Sequence, residues 1–162
     1  MTEATIYLDT PVGRVSITAN DEAIIRATWV RGGGAGAGAG AESPPSDHPV
    51  LQRAAEQLRE YFSGTRRDFE LPLAPAGGDL QQAVCQALLE IPYGQTRSYG
   101  DLARVLGVAA QPVGQACGGN PIPIFIPCHR VLAAEGKTGG FSGGTGVETK
   151  LALLRHEGAL LL

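Results

Sequence analysis

Long hydrophobic runs, a cysteine framework and a surplus of positive charge are all missing from this 162-residue chain. No apolar stretch approaches the ~20 residues that a membrane-spanning helix needs. Three cysteines, Cys85, Cys117 and Cys128, are too few for a disulfide scaffold, and none stands in a CxxC pair or a Cys/His cluster of zinc spacing. The expectation is a protein with no metal and no organic cofactor, in a reducing cytoplasm that keeps a thiol free. Met1-Thr2-Glu3-Ala4-Thr5 has neither a basic start nor an apolar core, which predicts no secretory signal. Basic residues number 13 against 16 acidic ones, a net charge of −3. That balance argues against a strongly basic, nonspecific nucleic-acid binder. The deficit is uneven: residues 1–79 hold 7 basic and 11 acidic side chains, whereas residues 80–162 hold 6 and 5. The second half could meet DNA through few phosphates, with a shallow salt dependence.

What is present suits one sizeable domain or two small ones, with 43% hydrophobic residues. Alternating apolar residues predict strands at Thr5–Leu8, Val15–Ala19 and Ile24–Val30, with turns at Pro11-Val12-Gly13 and Asn20-Asp21-Glu22. The glycine-alanine tract from Gly32 to Gly40 has no packing side chains and reads as a flexible surface loop. His48 and Pro49 introduce a helix over Val50–Phe62, with Leu51, Ala54, Ala55, Leu58 and Phe62 on its inner face and Gly64 as its stop. Asp68–Leu73 reads as a further strand and Pro75–Gly78 as a linker.

The second half opens with a helix over Leu80–Leu89, which contains Cys85 as a core residue. Ser98 is an N-cap for a helix Tyr99–Leu106 closed by Gly107, and Pro112 suits the first turn of a helix Pro112–Gly118. Two short helices around a tight turn form a helix-turn-helix, a pattern shared by DNA readers and ordinary cores. A last helix, Glu148–Glu157, turns Leu151, Leu153 and Leu154 inward. Between these helices Asn120-Pro121-Ile122-Pro123-Ile124-Phe125-Ile126 leads into Pro127-Cys128-His129-Arg130. The prolines forbid a helix and the apolar residues want burial, so the run is expected to cross the interior in extended form. A thiol so placed, with imidazole and guanidinium next to it, is a candidate nucleophile, since a nearby base or cation favours the thiolate. On the tetrapeptide alone, a buried structural cysteine with two polar neighbours reads equally well.

The surrounding motifs separate the two. Ile91-Pro92-Tyr93-Gly94-Gln95-Thr96-Arg97-Ser98-Tyr99-Gly100, Val113-Gly114-Gln115-Ala116, the proline run, Gly139-Gly140-Phe141-Ser142-Gly143-Gly144 and Leu153-Leu154-Arg155-His156-Glu157-Gly158 resemble, in order and spacing, the O6-alkylguanine-DNA alkyltransferases. The resemblance covers residues 79–158, about half of the chain. It implies a single-turnover alkyltransferase that repairs double-stranded DNA by moving an alkyl group from O6-alkylguanine, and from O4-alkylthymine, onto its own cysteine. It further implies a monomer, and a base flipped out of the duplex, because O6 is out of a thiol's reach inside the stack.

Carried onto this sequence, the resemblance makes Cys128 the acceptor. His129 would take the thiol proton, through a water because adjacent side chains seldom face each other. Glu157 would hold the other imidazole nitrogen and fix the tautomer. Asn120 supports the active-site turn. Tyr99 meets the flipped base and the target phosphate, and its phenol can return a proton to the departing guanine. Pro123, Val131, Phe141, Ser142 and Gly143 line the base pocket, with Phe141 standing where many members have tyrosine. Tyr99, Ala109, Ala110, Gln111, Gly114 and Arg130 are the expected DNA contacts, on a recognition helix whose small residues suit the minor groove. One departure stands out. The arginine that the family inserts into the vacated stack falls on Gln111, and the preceding turn is about two residues shorter. Glutamine lacks the charge and reach of arginine, which predicts weaker DNA binding or slower flipping.

Three other readings use the same residues. A lesion sensor without transfer would lack the reactive cysteine, and Cys128 is present. A helix-turn-helix regulator using Cys128 as a sensor would want a dimer and a more basic recognition segment. A cysteine hydrolase built on Cys128 and His129 would turn over, whereas a thioether is not hydrolysed. The expected architecture is α/β: an N-terminal domain, residues 1–78, with a small antiparallel sheet, and a mostly helical, winged-helix-like domain, residues 79–162, that contains the helix-turn-helix.

Overall fold

The computed structural model describes residues 3–30, 47–133, 139, 141 and 146–159. The chain divides into two compact units, Met1–Pro75 and Ala76–Leu162.

In the first unit, β1 (Ala4–Thr10), β2 (Gly13–Ala19) and β3 (Ile24–Trp29) form an antiparallel sheet in chain order. Ile6 pairs with Ile17 and Leu8 with Val15, so the buried set of each strand shares one face. The central β2 is buried from Val15 to Ala19, with Ser16 and Thr18 on its second face. Gly13 makes the β1–β2 turn at φ +114, and the Trp29 ring lies 3.4 Å from where a Cβ would stand. The helix α1 (Pro49–Ser63) packs on β1 and β2. His48 caps it: Nδ1 accepts the Val50 N–H at 3.2 Å, and Nε2 donates to the Asn20 carbonyl at 2.7 Å, which ties the helix start to the β2–β3 turn. The fully buried aromatic on α1 is Tyr61, whereas Phe62, expected inside, is half-buried.

The strand expected at Asp68–Leu73 does not form. Only Leu73 makes a bridge, parallel to Ile24, with Ile24 N–H donating to the Pro72 carbonyl and Ala74 N–H to the Ile24 carbonyl. Upstream, the Gln57 side chain occupies the backbone instead. Its Oε1 accepts the Glu70 N–H at 2.9 Å and its Nε2 donates to the Glu70 carbonyl at 3.3 Å. Pro72 and Pro75 have no N–H to extend a ladder.

The second unit holds α2 (Asp79–Leu89), β4 (Arg97–Ser98), α3 (Tyr99–Leu106), α4 (Ala110–Gly118), β5 (Val131–Leu132) and α5 (Val147–His156). α2 packs on α3 and α4, and Gln81 Nε2 donates to the Ala116 carbonyl at 2.9 Å. Ser98 and Asp101 form a reciprocal cap at the start of α3, each side chain taking the other's N–H at 2.9 Å. Gly107, at φ +69, ends α3 and turns the chain into α4, which completes the helix-turn-helix. α4 begins two residues earlier than expected, so Pro112 sits in its first turn, where no intrahelical donor is needed.

The proline run is buried, but it is not extended. Ile126 N–H donates to the Ile122 carbonyl at 2.9 Å, and Pro123 bridges Ile126, so the segment doubles back as a tight turn. Asn120 clamps both ends: Nδ2 donates to the Ile126 carbonyl at 2.8 Å and Oδ1 accepts the Ile122 N–H at 3.0 Å. Ile124 adopts φ +73, a strained conformation for a β-branched residue that costs about 1–3 kcal/mol. Burial of Ile122, Ile124, Phe125 and Ile126 opposes that strain, at about 1.5–3 kcal/mol for each large side chain.

Candidate active site

The turn that follows this run sends three chemically active side chains into the interior. Cys128–Arg130 form a single 3-10 turn, with Cys128 N–H on the Ile126 carbonyl at 2.8 Å and Arg130 N–H on the Pro127 carbonyl at 3.1 Å. β4 and β5 hold the exit of the turn through the pairs Arg97–Val131 and Ser98–Leu132. Cys128, His129 and Arg130 are all buried, His129 completely.

The end of α5 meets this turn at Glu157. Its Oε2 lies 2.8 Å from His129 Nε2, and it also accepts Arg130 Nε on Oε1 at 2.8 Å and Arg130 Nη2 on Oε2 at 2.9 Å. A carboxylate only accepts, which assigns the imidazole proton to Nε2 and leaves the lone pair on Nδ1. Nδ1 makes no hydrogen bond to protein among the described residues. Burial pushes the imidazole pKa down from its ordinary 6.5, and the charges of Arg130 and Lys150 push the same way against the pull of Glu157. The outcome is a neutral imidazole with a basic nitrogen beside the thiol-bearing residue.

Burial favours the protonated form of the thiol itself. Burial raises the Cys128 pKa from 9.0 to about 11, while the Asn120 side chain and the charge of Lys150 pull it down. Tyr99, the first residue of α3, also has its phenol raised, first by burial and then by the thiols of Cys117 and Cys128, so it remains an O–H donor. The chain passes the Tyr99 ring at Gly139, where a Cβ would stand 3.1 Å from Cε2 and 3.3 Å from Oη; Gly139 also has φ +70.

Similarity to known proteins identifies the family. Residues 79–159 match the family model described as the DNA-binding domain of 6-O-methylguanine DNA methyltransferase, and residues 4–75 match its ribonuclease-like domain. The chain belongs to this methyltransferase family. It is 36% identical to the methylated-DNA–protein-cysteine methyltransferase of Methanosarcina acetivorans, over 93% of this chain and 96% of that protein. It is 39% identical to the constitutive enzyme of that name from Bacillus subtilis, over 92% of both chains. The crystal structure of O6-methylguanine methyltransferase from Mycobacterium tuberculosis, 36% identical, superposes with a TM-score of 0.81 over 98% of this chain and 94% of that one. The Mycobacterium tuberculosis protein has also been solved in complex with DNA; that structure aligns with a TM-score of 0.81 over 96% of this chain and 92% of the other.

Within this family member, the structure brings Cys128, His129, Glu157, Asn120 and Tyr99 into one neighbourhood. Val131 is buried beside the turn, and Pro123 and Phe141 are half-buried. Ser142 and Gly143 lie outside the described residues. Ala109, Ala110 and Gln111 are exposed together at the start of α4, and Gly114 has open space beyond its α-carbon. Val105 and Val108, 78% and 38% exposed, flank them on the α3 side.

Arg130 requires a correction. Expected on DNA, its guanidinium is instead buried, with Nη1 on the Ile91 carbonyl at 2.7 Å and the other two nitrogens on Glu157. A phosphate contact would have to break this ion pair inside the protein. Sequence reasoning also missed Lys150, which is fully buried and has Nζ 5.7 Å from the centre of the Tyr99 ring. A signal existed: Lys150 stands three and four residues before Leu153 and Leu154, on the apolar face of α5.

Proposed function

We propose that the protein repairs double-stranded DNA by moving an alkyl group from O6 of guanine, or O4 of thymine, to Cys128 Sγ in one irreversible event. The Sγ lone pair attacks the saturated carbon, the carbon–oxygen bond breaks, and a thioether forms. The thiol proton leaves towards His129 Nδ1 through a water, and the imidazolium so created is balanced by Glu157. The departing guanine takes a proton from the Tyr99 phenol. Since a thioether does not hydrolyse, each molecule acts once.

The observation that carries this reading is the 2.8 Å contact of His129 Nε2 with Glu157, which leaves Nδ1 as the basic nitrogen one residue from a buried thiol. The buried setting also supports base flipping, because a thiol held inside the protein cannot reach O6 within a stacked duplex. Asn120 keeps the turn in shape. Pro123, Val131 and Phe141, with Ser142 and Gly143, would receive the base. Tyr99, Ala109, Ala110, Gln111 and Gly114 would face the minor groove, with exposed Val105 and Val108 beside them.

The test is intact protein mass after incubation with a duplex containing one O6-methylguanine, with Cys128→Ser as control. A stoichiometric gain of one methyl that maps to Cys128 and is absent from the control is the expected result. Selective binding of the lesion without a mass gain would make the protein a sensor. Repeated release of product from one protein molecule would make it a hydrolase.

A further inference from the structure

The loop after α2 closes on the end of α5, and the proton path above gives it no part. It begins at Ile91, whose carbonyl takes the hydrogen bond of Arg130 Nη1 at 2.7 Å. Two residues on, the half-buried Tyr93 makes two further contacts. Its ring lies 5.8 Å from Arg130 Cζ, and its phenol donates to the His156 carbonyl at 3.3 Å. Gly94 then passes the backbone of Glu157 so closely that a Cβ would stand 3.3 Å from the Glu157 carbonyl oxygen. Its φ of +82 favours glycine as well.

These contacts fall on the groups that set the position of the carboxylate. The last carbonyls of a helix have no intrahelical donor and need partners from elsewhere. At the end of α5 the Leu153, Leu154 and Arg155 carbonyls accept the N–H groups of Glu157, Ala159 and Gly158. The next carbonyl, that of His156, takes the Tyr93 phenol. It belongs to the peptide unit that joins His156 to Glu157, so the phenol anchors the backbone from which the carboxylate extends. From the side-chain end, the ring bounds the guanidinium that binds both Glu157 oxygens. A leucine or phenylalanine would fill the same space, but only a phenol reaches the carbonyl. Precision matters here, because the 2.8 Å contact of Glu157 with His129 leaves the hydrogen-bonding range once the carboxylate retreats by about 0.5 Å or more.

We propose that Tyr93 is a positioning residue for the proton acceptor. By holding the His156 carbonyl with its phenol and the Arg130 guanidinium with its ring, it keeps Glu157 on His129 Nε2, and so keeps the basic nitrogen at Nδ1. The proposal rests on the reading of His129 as the base that serves Cys128. In it Tyr93 gives and takes no proton, and acts through Glu157 alone.

The experiment reads the tautomer of His129 from its imidazole nitrogen-15 NMR shifts at about pH 8, above the ordinary imidazole pKa of about 6.5. The samples are the wild type, Tyr93→Phe and Tyr93→Leu, with His129→Gln to assign the signals. Methyl transfer from an O6-methylguanine duplex is measured on the same samples. The wild type should show the Nε2–H tautomer alone. Tyr93→Leu loses both holds and should show the Nδ1–H tautomer beside it. Its methyl transfer should be about tenfold slower, part of the about 10²–10⁴-fold that a positioned base contributes. Tyr93→Phe keeps the ring and the packing, and should fall between the two. A structural role alone would lower stability and leave the tautomer as it is. A pure Nε2–H tautomer in every variant that folds therefore overturns the proposal, whatever the rate, and Tyr93→Phe decides alone if Tyr93→Leu does not fold. A wild type that takes no methyl from the duplex defeats the alkyl-transfer reading alone, because the tautomer still reports whether Tyr93 holds Glu157 on His129.

Discussion

Arg130 grips both carboxylate oxygens of Glu157, through Nε at 2.8 Å and Nη2 at 2.9 Å. The carboxylate that orients His129 is thus itself held by the next residue in the chain, and Tyr93 closes over the guanidinium at 5.8 Å. Removing one partner of such a buried pair leaves the other charge uncompensated. Arg130→Met should destabilise the protein by about 3–5 kcal/mol in chemical denaturation. The affinity of the folded fraction for undamaged duplex should stay within about twofold, because no phosphate contact is lost. A large loss of DNA affinity with little loss of stability would return Arg130 to the DNA surface.

Acid should destabilise the protein through His129. Its folded pKa lies below the ordinary 6.5, so the unfolded chain takes up the proton first as pH falls. The stability from a neutral, buried imidazole is complete above about pH 6.5 and declines below it, by up to about 1.4 kcal/mol per pH unit for this one group. Denaturation curves between pH 7 and 5 should therefore be flatter in His129→Gln, whose side chain does not titrate.

Alkali acts through the thiols with the opposite sign. Cys128 and Cys117 are raised from 9.0 to about 11 and about 12, so the folded protein holds protons that the unfolded chain has already released. Their contribution is complete below pH 9 and is lost as pH rises through 11. Lys150, lowered from 10.5 by burial, offsets part of the loss. Cys117→Ala should reduce the fall in stability between pH 9 and 10.5 by up to about 1.4 kcal/mol per pH unit, measured by urea denaturation.

Gln111→Arg should strengthen DNA binding. Gln111 is exposed in the first turn of α4, so a longer cationic side chain can be added there without repacking. Fluorescence anisotropy with a lesion duplex should show several-fold tighter binding, and the log–log salt slope should steepen by about one, as one added cation held against the duplex requires. An unchanged slope would mean that this helix end does not lie against the duplex.

Much of the second unit was legible because its signals are local. Ser98 as a cap, Gly107 as a stop and Pro112 in a first turn act within a few residues of themselves, and the helices formed around them. The same local logic failed where a side chain from elsewhere competes for the backbone. Gln57 takes the Glu70 backbone from the expected strand, and Asn120 folds the proline run into a turn that alternation alone could not indicate. On α1 the periodicity located the inner face but did not rank Tyr61 above Phe62, since they stand three and four residues after buried Leu58 and fit the helical period equally well.

For the site, the side-chain chemistry of the tetrapeptide nominated Cys128 and His129, and the resemblance to a known family nominated Glu157, Asn120 and Tyr99. Which charge meets which was decided only by tertiary structure. Glu157 lies 28 residues from His129 and Ile91 lies 39 from Arg130, so their pairing depends on how α5 and the loop after α2 pack around one turn. Adjacent in sequence, Cys128, His129 and Arg130 look like one cluster; in the folded chain the 3-10 turn carries His129 and Arg130 to Glu157. Burial then sets the protonation of each group, and burial belongs to the folded chain.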